Sequence, residues 1–320
     1  MINKKNNDKK LHSRDDEFNF SLRDPYFILF GAFTFLVSFS VYIYSLAPSV
    51  TFEDSGELIA AAYNAGVPHA PGYPLFTIFG WLFTHLPLGN IAYRLNLMSA
   101  FFSAIASFWV FAIVTHTACR FEPKLRQGNG SMYLKISTYL VSMSTAWLFA
   151  FSFENWEQSV IAEVYGLHSF FVGLFVWLVV RFLDTKDLQK KRKLILIVSF
   201  TTGLALTNHT TSLLFIPVFI LVLVFDNFRI LFNLKLLIKS VFLGIAGLLP
   251  LIYLPIASAF DPVVDWGNPE TWTNFVRVVS RHQYTELAQT SEKFSTGLTY
   301  YFETLLPDQW NPLFLLFIVP

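Results

Sequence analysis

The chain has 320 residues, 54% of them hydrophobic and only 14% charged, with a formal net charge of +1. A soluble domain carries about 25% charged residues, so this is not an ordinary globular composition, and the near-neutral balance gives no basis for a nucleic-acid partner. The single cysteine, Cys119, rules out an internal disulfide.

Residues 1–25 are polar and mixed in charge, and read as a disordered cytoplasmic tail. The apolar run from Pro25 to Ala47 is too long for a signal-peptide core and has no small-residue cleavage site, so it is read as retained. With about 20 apolar residues needed per span, the sequence predicts spans near 26–46, 92–118, 133–153, 164–183, 194–207, 211–225 and 240–256. The fifth and sixth are short and meet at Asn208-His209, as poorly tilted spans or as a broken pair dipping toward a site. Residues 311–320 read as the first half of a truncated eighth span. The expected fold is therefore an all-α polytopic membrane protein, with a bundle of about seven spans over 26–256.

Placing the N-terminus in the cytoplasm puts 19 of the 23 Lys and Arg residues in the segments 1–25, 119–135, 181–193 and 226–239. This satisfies the positive-inside rule. The outer side then holds two larger segments, 47–91 and 257–310, and a small loop at 154–163. Polar groups gather in these loops and at span ends, whereas a transporter keeps them at mid-membrane within its spans. The sequon Asn129-Gly130-Ser131 falls on the cytoplasmic side and is expected to stay unmodified.

In the first outer segment a helix is expected to start at Asp54 and stop at Gly66-Val67-Pro68. Asp54 suits the N-cap, and Glu57, three residues on, completes a capping box. The alternative reading is chemical. Glu53, Asp54 and Glu57 crowd three carboxylates into about one turn, which separates their pKa values and can leave one as a base or a metal ligand. Pro71-Gly72 suits a type II turn that would hold His69 and Tyr73 close together. That turn reads equally as a feed into an interfacial aromatic belt.

Glu53-Asp54-Ser55-Gly56-Glu57-Leu58, then His69-Ala70-Pro71-Gly72-Tyr73-Pro74-Leu75-Phe76, then Tyr93-Arg94-Leu95-Asn96-Leu97 resemble the transmembrane protein 260 family of protein O-mannosyltransferases. Ala162-Glu163-Val164-Tyr165, Asn208-His209-Thr210, Leu249-Pro250-Leu251-Ile252-Tyr253-Leu254-Pro255-Ile256, Asp265-Trp266-Gly267 and Arg281-His282-Gln283-Tyr284 follow in order. The likeness covers about residues 40–290. It implies a GT-C type glycosyltransferase of the endoplasmic reticulum membrane that uses a dolichyl-phosphate mannose donor. It also implies acceptors in luminal domains, such as immunoglobulin-like domains of receptors, and a catalytic carboxylate in the first luminal loop, which by position is Asp54. Ala70 stands where the family usually has a second proline. Family members usually continue beyond this chain's end with further spans and a luminal region.

Within that reading, Arg94 and Arg281 are the expected phosphate partners, since arginine grips phosphate through paired donors; a snorkelling role is the alternative. Glu163, at the entry to the fourth span, joins Asp54 in the site or caps a helix. Asn208 and His209 separate two short spans, where polar groups are site candidates. Trp266 could stack on a sugar face or anchor at the membrane surface, and Tyr284 closes the last matching motif. No zinc spacing occurs, and no metal ligand is assigned; a divalent cation on Glu53, Asp54 and Glu57 stays open. No Gly-rich phosphate loop or dinucleotide fingerprint is present. Two rival classes remain, a lipid or solute transporter and an inactive membrane scaffold.

Overall fold

A computed structural model describes residues 24–126, 130–284 and 299. The tail before Asp24, the residue Asn129 and the proposed start of an eighth span lie outside the described residues. The described residues form an all-α membrane protein whose one extended pairing is the isolated bridge between Val67 and Asp265.

Helix α1 spans Pro25–Tyr44, and Asp24 caps it by accepting from the Tyr26 N–H at 2.9 Å. Its buried residues Phe27, Gly31, Thr34, Ser38 and Tyr42 recur with helical period, so one stripe faces the bundle and the rest faces lipid. Gly31 is needed there: a Cβ would come within 2.8 Å of the Phe108 ring. The outer segment folds as two short helices, α2 (Ser55–Tyr63) and α3 (Pro74–Thr84). Helix α4 (Ile91–Phe121) has 31 residues, about 46 Å at 1.5 Å per residue, and is the central post of the bundle. It packs against α1 and against α5 (Met132–Ala150) and α7 (Tyr165–Asp184). Between the last two, α6 (Phe153–Ser159) bends away from α5 by 71°. Gly166 and Gly173 let α7 lie close on α4, where a Cβ would meet the Ser99 carbonyl and Trp109 at 2.7 Å.

Helix α8 (Leu188–Leu206) is followed by a 3₁₀ turn at Thr210–Leu214, α9 (Phe215–Asn227), α10 (Leu234–Gly247), a second 3₁₀ turn at Leu249–Ile252 and α11 (Tyr253–Ser258). The amphipathic α12 (Trp272–Val279) closes the order.

Among the described residues, five helical stretches are long and apolar enough to cross a membrane: Pro25–Tyr44, Ile91–Phe121, Tyr165–Asp184, Thr210–Phe232 and Leu234–Ser258. The bent pair of α5 and α6 makes six. The remaining stretch of the seven-span reading is α8, which carries Lys190, Lys191, Arg192 and Lys193 in its first turns. Neither of the two middle stretches is short, as their hydropathy suggested. Asp187 caps α8 by accepting from the N–H groups of Gln189 and Lys190, so the helix begins inside the basic run, ahead of the apolar one. Thr210–Phe232 is likewise 23 residues long once its 3₁₀ ends are included. Three helices of the outer segments went unread: α3, an apolar helix opened by Pro74 at its first position, α6 and α12.

Candidate active site

The outer segment is fastened to the bundle before any site side chain is placed. Asn96 of α4 donates to the carbonyls of Ala47 and Ser49 at 2.8 and 3.1 Å, and Asn90 donates to Pro48 at 2.9 Å. Leu58, Tyr73 and Phe76 share one buried core with Met98 of α4 and Leu167 of α7. On the far side, Val67 and residues 264–266 exchange backbone bonds: Val67 N–H to Val264 at 2.8 Å and Trp266 N–H to Val67 at 2.9 Å. The Tyr253 hydroxyl donates to the Gly66 carbonyl at 3.0 Å. Gly66 is fixed by this close approach, because a Cβ would sit 2.3 Å from the Val264 oxygen. The left-handed position after α2 is Ala65 at φ 52°, one residue earlier than expected.

The capping box does not form. Asp54 sits at the N-cap, yet its side chain makes no capping bond. Its backbone N–H donates to Glu163 Oε1 at 3.1 Å, across 109 residues. Glu57 turns instead to the 69–73 turn, accepting the His69 backbone N–H at 2.5 Å and facing its Nδ1 at 3.2 Å. This holds the imidazole with Nε2 3.6 Å from Asp54 Oδ2. Tertiary partners have outcompeted the local motif, and Asp54 is left with a carboxylate 58% exposed. The turn is also not the expected type II turn: Gly72 N–H closes onto the His69 carbonyl at 2.8 Å around a cis Ala70–Pro71 bond. The Tyr73 ring stands edge-on to His69, with centroids 5.1 Å apart.

Glu163 is 3% exposed. Its backbone is held by Ser99, whose Oγ donates to the Glu163 carbonyl and accepts its N–H at 3.2 and 3.3 Å. Burial, then the charges of Asp54 and Glu53, raises its carboxyl to about 7. Glu53 accepts from Gln158 Nε2 at 3.3 Å. The bond to Glu57 holds His69 above the usual histidine range against its burial, helped by the charges of Glu57, Asp54 and Glu163.

Beside this cluster lies a second group. Asn208 is buried and donates to the Val164 carbonyl at 3.2 Å. His209 Nδ1 is 2.7 Å from Thr211 Oγ1, which is 3.0 Å from His168 Nε2; the two imidazoles lie 4.6 Å apart. Burial first, and then the Arg281 charge, lowers His209. Arg281 Nη1 reaches Thr210 Oγ1 at 3.4 Å, and its guanidinium lies over the Tyr284 ring at 4.8 Å. Tyr73 joins the two groups: burial raises its hydroxyl most, the Arg281 charge lowers it, and Tyr284 and Asp54 raise it further. Glu53, Tyr73 and Arg281 also hold positive φ, at 63°, 35° and 56°, a conformation non-glycine residues adopt where surroundings enforce it.

The structure thus brings together Glu53, Asp54, Glu57, His69, Tyr73 and Glu163, with Asn208, His209, Arg281 and Tyr284 alongside. It does not bring in Arg94. That guanidinium donates to the carbonyls of Leu88 at 2.6 Å, Thr84 at 2.5 Å and Gly89 at 3.0 Å, and so closes the loop after α3. Trp266 is tied by its backbone, and its side chain is half exposed. Ser99, Gln158 and His168 were missed from sequence; only His168, three residues beyond Tyr165 on the same helix face, carried a readable spacing. Asp54, Glu57 and His69 each offer a ligand atom, all within 4.8 Å of one another, so these three could hold a divalent cation.

Fold and site define a polytopic membrane protein that presents a carboxylate–histidine cluster at one end of its bundle. The chain belongs to the family described as Protein O-mannosyl-transferase TMEM260 N-terminal domain, whose model matches residues 54–231. It is 34% identical over 251 residues to Protein O-mannosyl-transferase TMEM260 of Mus musculus, a match covering 77% of this chain and 33% of that protein. To Protein O-mannosyl-transferase tmem260 of Dictyostelium discoideum it is 28% identical over 271 residues, covering 80% and 30%. The chain spans about a third of the length of these relatives. No solved structure matches it.

Proposed function

We propose that this chain is the membrane-embedded part of a protein O-mannosyltransferase of the endoplasmic reticulum, with its N-terminus in the cytoplasm and its site on the luminal side. Mannose moves from a dolichyl-phosphate donor to a Ser or Thr hydroxyl of a luminal protein domain. The observation that carries the reading is the state of Asp54. It is exposed and free of any capping bond, its backbone is fixed by Glu163 and its carboxylate faces a histidine clamped by Glu57. A group engaged only in structure would have taken the local cap.

The hydroxyl oxygen attacks the anomeric carbon as its proton passes to the Asp54 carboxylate. The new carbon–oxygen bond forms as the bond to phosphate breaks on the opposite face, and dolichyl phosphate leaves with the electron pair. A single displacement by one base inverts the anomeric centre. Arg281, with His209 and Thr210 beside it, takes the leaving phosphate, without the help expected from Arg94. Glu57 positions His69, and His69 steadies the Asp54 carboxylate.

The test is transfer of labelled mannose from dolichyl-phosphate mannose to an immunoglobulin-like acceptor domain by the purified chain, with the product's anomeric configuration determined. Transfer with inversion supports the reading; retention, or transfer from a nucleotide sugar instead, sinks it.

A further inference from the structure

Helices α8 and α10 meet backbone to backbone. A Cβ on Gly203 would lie 2.0 Å from the Gly244 carbonyl oxygen, and one on Gly247 would lie 2.3 Å from that of Phe200. This glycine seam forms a floor without side chains, and α9 stands off from it. The result is a cavity of about 580 Å³ between the three helices, running from Ile195 to Leu206 along α8. Those eleven steps span roughly 16 Å, about half the hydrocarbon thickness of a bilayer.

Among the described residues that line it, only Ser199, Thr202 and Ser240 carry a polar side-chain atom, and the Ser199 hydroxyl bonds to the Ile195 carbonyl at 2.9 Å. Ile220, Leu237 and Val241 line it and are exposed, so the trough opens sideways toward lipid. At its upper end it is bracketed by Leu206 and Phe215. Between those two residues lie Asn208, His209 and Thr210, and Thr210 is the residue that Arg281 reaches. An apolar trough and a cationic corner therefore meet at one point.

We infer that this trough holds the hydrocarbon chain of a polyisoprenyl phosphate whose phosphate sits at Arg281. Charge complementarity at the corner selects an anionic headgroup. The trough is single, about 580 Å³ and floored by glycine, and is assigned to one methyl-branched chain in place of the paired tails of a phospholipid. This rests on the donor reading above, and names the part of the protein that would recognise the donor's lipid.

The experiment uses the full chain in detergent and a polyisoprenyl phosphate bearing a diazirine within its chain. Label is expected on peptides from α8, α9 and α10, displaced by unlabelled polyisoprenyl phosphate and not by phosphatidate. Ser240→Phe fills the trough from its open side and should cut labelling roughly tenfold at unchanged elution and melting temperature. Ser199→Phe serves as the second variant if the first fails to fold. Label spread evenly over α1 and α5, labelling indifferent to both fillings, or displacement by phosphatidate would each overturn the inference. Groove labelling with no mannose transfer keeps the chain site and rejects the transferase. Transfer that ignores chain length, with label elsewhere, does the reverse.

Discussion

Asp54 separates a capping role from a chemical one. Replacing an N-cap aspartate by alanine costs about 1 kcal/mol, because a helix N–H loses its acceptor. Here no such bond is made, and among the described residues the Asp54 carboxylate, 58% exposed, has His69 Nε2 at 3.6 Å as its ionic partner. A pair so exposed contributes about 0–1 kcal/mol. Asp54→Asn and Asp54→Ala should therefore both leave the melting temperature within about 2 °C of the parent. Neither substituent accepts a proton, so both should lower mannose transfer by about 10²-fold or more. The assay pairs transfer from dolichyl-phosphate mannose with thermal unfolding of the same detergent-purified sample. Near-full activity of Asp54→Asn would refute the mechanism. A large melting shift for alanine with none for asparagine would restore the capping role.

Glu163, raised to about 7 in the folded state, holds a proton there that the unfolded chain releases near 4.5. Stability should therefore fall as pH rises from about 4.5 to about 7. Glu163→Gln keeps the oxygen that accepts the Asp54 N–H, and should flatten that slope in thermal unfolding; an unchanged slope rejects the assignment. Arg94→Lys loses at least two of three carbonyl bonds, so it should destabilise the loop after α3 by roughly 1–3 kcal/mol. It should leave the donor KM unchanged, and a raised KM with a parental melting curve would return Arg94 to the phosphate. Asn208 is fully buried within its Asn-His-Thr sequon and bonded to Val164, so mass spectrometry should find no glycan there. The same measurement should find Asn129 unmodified if its side is cytoplasmic.

The bundle was legible because spans obey length and hydropathy; that Phe27, Gly31, Thr34, Ser38 and Tyr42 form the buried stripe of α1 emerges only from the structure. Helix ends were less legible: Lys190–Lys193 read as loop by charge, while Asp187 starts the helix before them. Within the site, Asp54, Glu57 and His69 could be picked out by type and crowding. Glu163 beside Asp54 was one of the two readings its place at a span entry allowed; the bond from Glu57 to His69 in place of the capping box was not legible, because it depends on how the 69–73 turn docks. Arg94 shows the same limit from the other side. Its place at the mouth of a span suggested a ligand, and only the path of residues 84–89 reveals three carbonyls already waiting for it.

The stitch between Val67 and residues 264–266 bears on where this protein can be cut. The family match ends at residue 231, yet the turn carrying His69 leans on Tyr253, Val264 and Trp266. The start of the outer segment is tied separately, by Asn96 of α4 to the Ala47 carbonyl just beyond α1. The cooperative unit is thus wider than the stretch by which the family is recognised, and it is discontinuous in sequence. An expression fragment trimmed to 54–231 would keep Asp54, Glu57 and Glu163 but lose Glu53, and would remove two of the walls that orient the cluster. Fragments meant for binding or crystallisation work should begin no later than Asp24 and run through Tyr284.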